Sequence, residues 1–306
     1  MKQLQDTRQQ HHVWKHYLLG WAQDKQIFCL RNGAIFKTNV KNVAVERDFH
    51  KLQLLGAQDI EFIRLLIGQA QNGMAQLHRE LLDVFALLPQ LRENLSPEIA
   101  QDNNLVAQLD HYILHAEEDF HSRIEFKMVP VLEAVRRSDI SFYDDAYHCM
   151  KFLHFLSLQS LRTKGVQERI VATVTTLPGV DIRKCMPILR LMFAINAGRS
   201  LFLERKKRPL YLLENKTGIP FITGDQPVIN LFHLPGRTDS PLLLGFYYPV
   251  TPWLALVLDE VDERCGYGPG PLSADQVRTL NREMQEAAFE QLFGDSREAL
   301  ESLGTL

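Results

Sequence analysis

The sequence predicts an α+β fold: a central helical bundle with a small, mostly antiparallel sheet built from an N-terminal hairpin and C-terminal strands. Three observations predict it. Two short β-favouring runs flank Arg31-Asn32-Gly33 near the N-terminus, apolar residues recur at helical spacing over 57–208, and the period shortens again beyond 209. At 306 residues the chain can bury a sizeable core, and no low-complexity linker or internal repeat divides it. One domain over 1–306 is therefore expected, with three parts: 10–55, 57–208 and 209–306.

In the first part, Trp14, Tyr17, Leu18 and Trp21 suit a short amphipathic helix. Gln26–Leu30 and Ala34–Lys37 read as strands, joined by an Asn-Gly turn in which both residues tolerate positive φ. A lone hairpin is marginal in water, so it should dock on the C-terminal strands. In the second part, Ile60, Ile63, Ile67, Ala70, Met74, Leu77, Leu81, Val84 and Leu88 form one long stripe, ended by Pro89. Ser96-Pro97-Glu98 starts a further helix, whose apolar face is Leu105, Leu109, Tyr112, Ala116, Phe120 and Ile124. Helices follow at about Tyr143–Arg162, Gln167–Thr175 and Ile182–Glu204, with breaks at Gly165 and Pro178-Gly179. In the third part, Leu210–Leu213, Ile219–Thr223, Leu242–Tyr248 and Leu254–Leu258 read as strands, and Tyr248-Pro249-Val250-Thr251-Pro252 as a turn. Ser273-Ala274-Asp275-Gln276 is a capping box for a helix reaching about Phe293.

Composition narrows the function classes. Apolar content of 45% and charged content of 23% are ordinary for a globular protein. A formal charge of −3 argues against wholesale coating of nucleic acid, though a local basic groove stays compatible with it. The four cysteines stand far apart without a Cys-x-x-Cys pair, which predicts reduced thiols. No secretory leader and no apolar run near the ~20 residues of a membrane span is seen, so a cytoplasmic protein without membrane contact is expected.

Several side-chain sets carry chemistry. His111, His115 and Glu118 stand at i, i+4, i+7, a spacing that could hold zinc, but they lie opposite the apolar stripe and read as a solvated face. Gln159 and Arg162 fall on or beside the line Cys149, Phe152 and Leu156, so they should be buried, either in a structural network or gripping an anion. His11 and His12 are candidates for proton transfer, weighed against an N-terminal cap. Arg47-Asp48-Phe49-His50 follows an apolar run, and its Arg-Asp pair serves equally as a turn staple. Gly224-Asp225-Gln226-Pro227 after a strand presents a carboxylate or makes an ordinary Asx turn. Walker loops, Gly-x-Ser-x-Gly elbows and His-Glu-x-x-His motifs are absent.

His11-His12-Val13-Trp14-Lys15-His16-Tyr17-Leu18, Asn42–Phe49, Gln159-Ser160-Leu161-Arg162-Thr163, Phe221–Pro227 and Tyr248–Pro252 together resemble domain of unknown function family 4238, a group of mostly bacterial intracellular proteins. The family's early Pro is replaced here by Trp14 or Lys15, and its Ser-Asp-Asn-Pro turn by Gly224-Asp225-Gln226-Pro227. The resemblance implies one shared site: either His11 or His12, with Asp225, as candidates for catalysis, and Arg47, Asp48, Gln159 and Arg162 for substrate binding. It brings no established activity. Two functions stay open: a hydrolase or nuclease-like effector, in a defence or toxin setting, acting on nucleic acid or nucleotide with a divalent metal as an open cofactor; or a non-enzymatic protein with a buried polar network or ligand-sensing pocket, working through a protein partner or homo-oligomer.

Overall fold

The computed structural model describes residues 8–70, 73–174, 177–233, 243–261, 265–268 and 270–303. The architecture is α+β, as predicted. Strand β1 (Gln9–His11) leads to helix α1 (Lys15–Leu18), then the hairpin β2 (Gln26–Arg31) and β3 (Ala34–Asn39), then β4 (Val45–Arg47). Asn32 and Gly33 both take positive φ, as a two-residue hairpin turn requires. The helical part comprises α2 (Ala57–Gly68), α3 (Met74–Glu93), α4 (Pro97–Ala100), α5 (Asn103–Arg136), α6 (Ala146–Leu161), α7 (Lys164–Thr173) and α8 (Ile182–Leu203). The C-terminal part holds β5 (Leu210–Glu214), β6 (Thr223–Gly224), β7 (Ile229–Asn230), β8 (Phe246–Thr251), β9 (Leu254–Leu258), α9 (Ala274–Ala287), β10 (Gln291–Gly294) and α10 (Arg297–Glu301).

Among the described residues the strands form three antiparallel sheets rather than one: β1-β4, β3-β2-β10-β6 and β5-β9-β8-β7. The hairpin does join C-terminal strands, through β2 against β10, from Gln291 opposite Arg31 to Gly294 opposite Phe28. The N-terminal segment is also tied down by side chains. Tyr17 stacks on Tyr248 with centroids 4.8 Å apart and shares a 2.6 Å hydrogen bond with Thr223, while Trp21 Nε1 donates to the Phe221 carbonyl.

Several expectations need correction. The first helical stripe is split between α2 and α3, with left-handed Gly73 at the junction. Pro89 does not end α3 but lies buried inside it, because proline's φ is helical and only one N–H bond is lost. The core face of α3 is His78, Leu82, Phe85, Ala86 and Pro89, whereas Leu77 and Val84 are exposed. Gly165 sits in the first turn of α7 and is no break. A Cβ there would come 2.9 Å from that of Phe289, so glycine permits α7 to lie against the chain before β10. The segment Ile219–Thr223 is strand only at Thr223, and Tyr248–Thr251 is strand, not turn. The last predicted helix keeps its Ser273–Gln276 capping box but stops at Ala287, and Phe293 belongs to β10. Thr175 and Leu242 lie outside the described residues.

Helix α5 departs furthest from its expected orientation. Its buried face is Ile113, Leu114, Glu117, His121, Glu125, Met128, Leu132 and Val135, while Leu105 and Tyr112 are exposed. Three ionisable residues occupy the middle of a core stripe, at i, i+4 and i+8 from Glu117. Across from them run α6 and α8, which approach closely where Gly198 faces the His154 backbone. Helix α8 is long and apolar enough to cross a membrane by length and composition alone, contrary to the expectation that no run is. In this fold it is a core helix with Arg190 buried near its middle. The four cysteines are free thiols.

Candidate functional site

A polar centre lies where β1, the turn after β4, α5, α6 and α8 meet. Two layers compose it. In the first, Arg162 at the end of α6 pairs with Glu125 of α5 through Nη1, and Gln159 Nε2 donates to the same Glu125 oxygen at 3.5 Å. Arg162 Nη2 donates to the His11 carbonyl at 2.6 Å. In the second, Glu117 is surrounded by His50, His121 and Arg190, all fully or almost fully buried. His121 Nε2 stands 3.1 Å from Glu117 Oε1, His50 Nδ1 3.4 Å and Arg190 Nε 2.8 Å, with Arg190 Nη2 3.3 Å from Oε2. The His11 carbonyl links the layers, because His50 Nε2 also donates to it, at 3.3 Å.

The local sequence explains how these groups are held. Gln10 of β1 donates to the Leu114 carbonyl and accepts from the His50 backbone N–H at 2.6 Å, so one buried amide pins β1 to α5 and to the turn carrying His50. The Leu52 N–H donates to the Ile113 carbonyl and extends the same attachment. Asp48 takes positive φ, and Phe49 follows with its ring edge-on to His50. The Arg190 guanidinium lies 4.9 Å from the Phe49 centroid, a cation–π contact at the rim of the buried centre.

Burial sets the protonation states. It lowers the histidine pKa values, to about 4 at His11 and about 3 at His12, with nearby cations adding to it. Burial likewise lowers His50, and lowers His121 well below its ordinary value. Burial pushes Glu117 up, but the charges and donors around it, Arg190 foremost, outweigh burial and hold the carboxyl well below the usual range. The centre at neutral pH is a carboxylate and a guanidinium with neutral imidazoles. The Nδ1 atoms of His12, His50 and His121 are buried without a hydrogen-bond partner, as are Arg190 Nη1 and Arg162 Nε. Orphans of this kind are uncommon and costly in a centre that serves folding alone.

Of the seven residues predicted, the structure brings four to this centre: His11 through its carbonyl, His12, Gln159 and Arg162. Arg47 and Asp48 are on its outer side, in the wall of a pocket of about 270 Å³ shared with Phe49, Lys51, Lys164, Arg183 and Arg190. Asp48 is paired with Arg8 there. Asp225 faces elsewhere. Its carboxylate accepts the backbone N–H groups of Phe289, Glu290 and Gln291 at 2.7, 2.7 and 3.0 Å, fastening the start of β10. Burial raises its pKa, and these three donors pull it back. Its neighbour Gln226 accepts from Thr163 Oγ1, one residue past Arg162.

His50, Glu117, His121, Glu125 and Arg190 were missed as site residues. The available signal was the Glu117, His121, Glu125 repeat at spacing four, which marks one helix face. His111, His115 and Glu118, read as solvated, are half-buried, and burial raises Glu118 to about 7.

A two-layer His/Glu/Arg centre roofed by helices and small sheets defines the class only as an α+β protein with a buried ionisable site. The profile of the family described as protein of unknown function DUF4238 matches residues 9–298, nearly the whole chain, and the protein belongs to that family. No curated protein and no solved structure matches it.

Proposed function

We propose that the protein is a hydrolase acting on a phosphate-bearing substrate, a nucleotide or nucleic acid, held in the pocket beside Phe49. The observation that carries this reading is the pocket wall. Arg47, Lys51, Lys164 and Arg183 line it, and Arg190 runs from it to Glu117 in the buried centre. Lys164 is paired with Glu46 and Glu290, and Arg183 with Glu168, at the surface, where such pairs are worth only ~0–1 kcal/mol and exchange readily for a phosphate. Behind the wall, neutral imidazoles supply proton acceptors in a water-poor setting.

The test is fluorescence anisotropy with labelled nucleotides and short single- and double-stranded oligonucleotides, followed by a product assay on whichever binds. Arg47→Glu with Lys51→Glu, both on exposed side chains, should weaken binding about tenfold or more and flatten its salt dependence. Unchanged affinity in that variant, or no binding by the wild type, sinks this reading.

A second reading is favoured by one specific observation: Asp225 and Arg162 are spent on internal partners. On it the centre is a structural network inside a non-enzymatic binding protein. Ligand binding at the pocket without turnover would support it.

A further inference from the structure

We propose that His50, Glu117 and His121 form a site for a divalent first-row transition-metal ion, bound through His50 Nδ1, Glu117 Oε1 and His121 Nε2. The inference goes beyond the substrate reading and stands without it, because metal retention is read on the protein alone.

The proton on His50 is placed by its neighbours. Its Nε2 faces the His11 carbonyl at 3.3 Å, and a carbonyl only accepts, so Nε2 carries the hydrogen. The neutral ring then turns the lone pair of Nδ1 toward Glu117 Oε1, 3.4 Å away. Two acceptors facing each other in a fully buried place repel, and a cation between them removes the conflict. A histidine that donates its other N–H to a backbone carbonyl is the arrangement that orients metal-bound imidazoles.

The spacing fits as well. Metal bonds of about 2.0–2.1 Å put neighbouring ligand atoms roughly 2.8–3.4 Å apart, octahedral geometry at the short end and tetrahedral at the long end. The two nitrogen-to-Glu117 separations here are 3.1 and 3.4 Å, and all three ligand atoms lie within 4.8 Å of one another. Glu117 and His121 are one helical turn apart on α5, so two of the ligands are placed by regular backbone. The third arrives on the turn that Gln10 pins to the same helix. Arg190 does not exhaust the carboxylate, whose two oxygens offer about four lone-pair positions. Two imidazoles and one carboxylate suit zinc, iron or manganese better than calcium or magnesium, and leave coordination positions for water or substrate. The Phe49 ring lies 4.9 Å from that of His50 and also lines the cationic pocket, so the ligand turn and the pocket share a side chain.

The test uses the full chain, stripped with a chelator and dialysed against zinc, manganese, cobalt or anaerobic iron(II). Wild type should retain one ion per chain after desalting. X-ray absorption of the loaded protein should show two imidazoles with oxygen ligands. His121→Gln and His50→Gln should lose at least about a hundredfold in affinity. These buried substitutions can impair folding, so the absorption spectrum of the wild type is the readout that does not depend on them. His111→Ala with His115→Ala should keep the ion. No uptake of any of the four metals by folded wild type overturns the proposal. So does a spectrum with fewer than two imidazoles, or retention by a folded His121→Gln. Uptake without turnover of any nucleotide or oligonucleotide would count against the hydrolase alone. Turnover by stripped protein that binds no ion would count against the metal alone.

Discussion

Removing the Asp225 carboxylate should cost stability before it costs anything else. The side chain is 2% exposed and accepts three backbone N–H groups at 2.7, 2.7 and 3.0 Å. Hydrogen bonds to a charged acceptor contribute about 1.5–3 kcal/mol each, and stranded donors keep their desolvation cost. Phe289 and Glu290 are exposed residues whose bonds to Asp225 are only part-buried, so water recovers some of it, and Asp225→Ala should lose about 3–5 kcal/mol. Asp225→Asn should lose less, since its one remaining oxygen can still serve two donors while its amide faces the third. Urea unfolding followed by circular dichroism measures both. Two variants within about 0.5 kcal/mol of wild type would refute the reasoning. If such variants also lost catalytic turnover, the carboxylate would return to the reaction chemistry that its turn suggested.

Arg162→Ala should destabilise by about 3–5 kcal/mol, because Glu125 is left as a buried charge without its main partner. Arg162→Met combined with Glu125→Leu should recover much of that loss in the same unfolding assay. Tyr17→Phe removes the 2.6 Å contact to Thr223 and should cost about 1–2 kcal/mol, measured as a shift in the urea midpoint. The His12 pKa is about 3 in the fold and about 6.5 when unfolded, so the unfolded chain binds the extra proton. The stability from its neutral form is complete above the unfolded value and is lost as pH falls toward the folded one. Between pH 7 and pH 5 the loss is about 2 kcal/mol, and His12→Gln should remove that part of the slope.

What could be read from the sequence follows local chemistry. The Asn32-Gly33 hairpin, the Ser273–Gln276 cap and the free cysteines each depend on a few adjacent residues or on composition, and each is found. The burial of Gln159 and Arg162 was legible because their apolar neighbours on α6 left them no other face. Helix α5 was read only in part, for the opposite reason. Leu109, Ala116, Phe120 and Ile124 do pack against the core, but the fully buried line runs beside them. Glu117, His121 and Glu125 occupy core positions, so a rule that sends polar residues to solvent rotates the helix away from them. Arg190 was hidden similarly, inside the apolar run Ile188-Leu189-Arg190-Leu191-Met192.

The sequence by itself determined the class of fold, the order of its helical and strand regions and its membership of the DUF4238 family, which the profile match bears out. Only the tertiary structure decided which ionisable groups meet. His50 comes from a turn, Glu117 and His121 from α5 and Arg190 from α8, up to 140 positions apart by the numbering of His50 and Arg190. Their meeting depends on long-range closure by the Gln10 side-chain amide and the His11 carbonyl, whose partners are backbone groups and ring nitrogens 39 to 104 positions away that no local pattern announces. Periodicity reports how one element divides its faces between core and water. A buried ionisable centre requires several elements to surrender polar faces together, and that agreement exists only once the chain has folded.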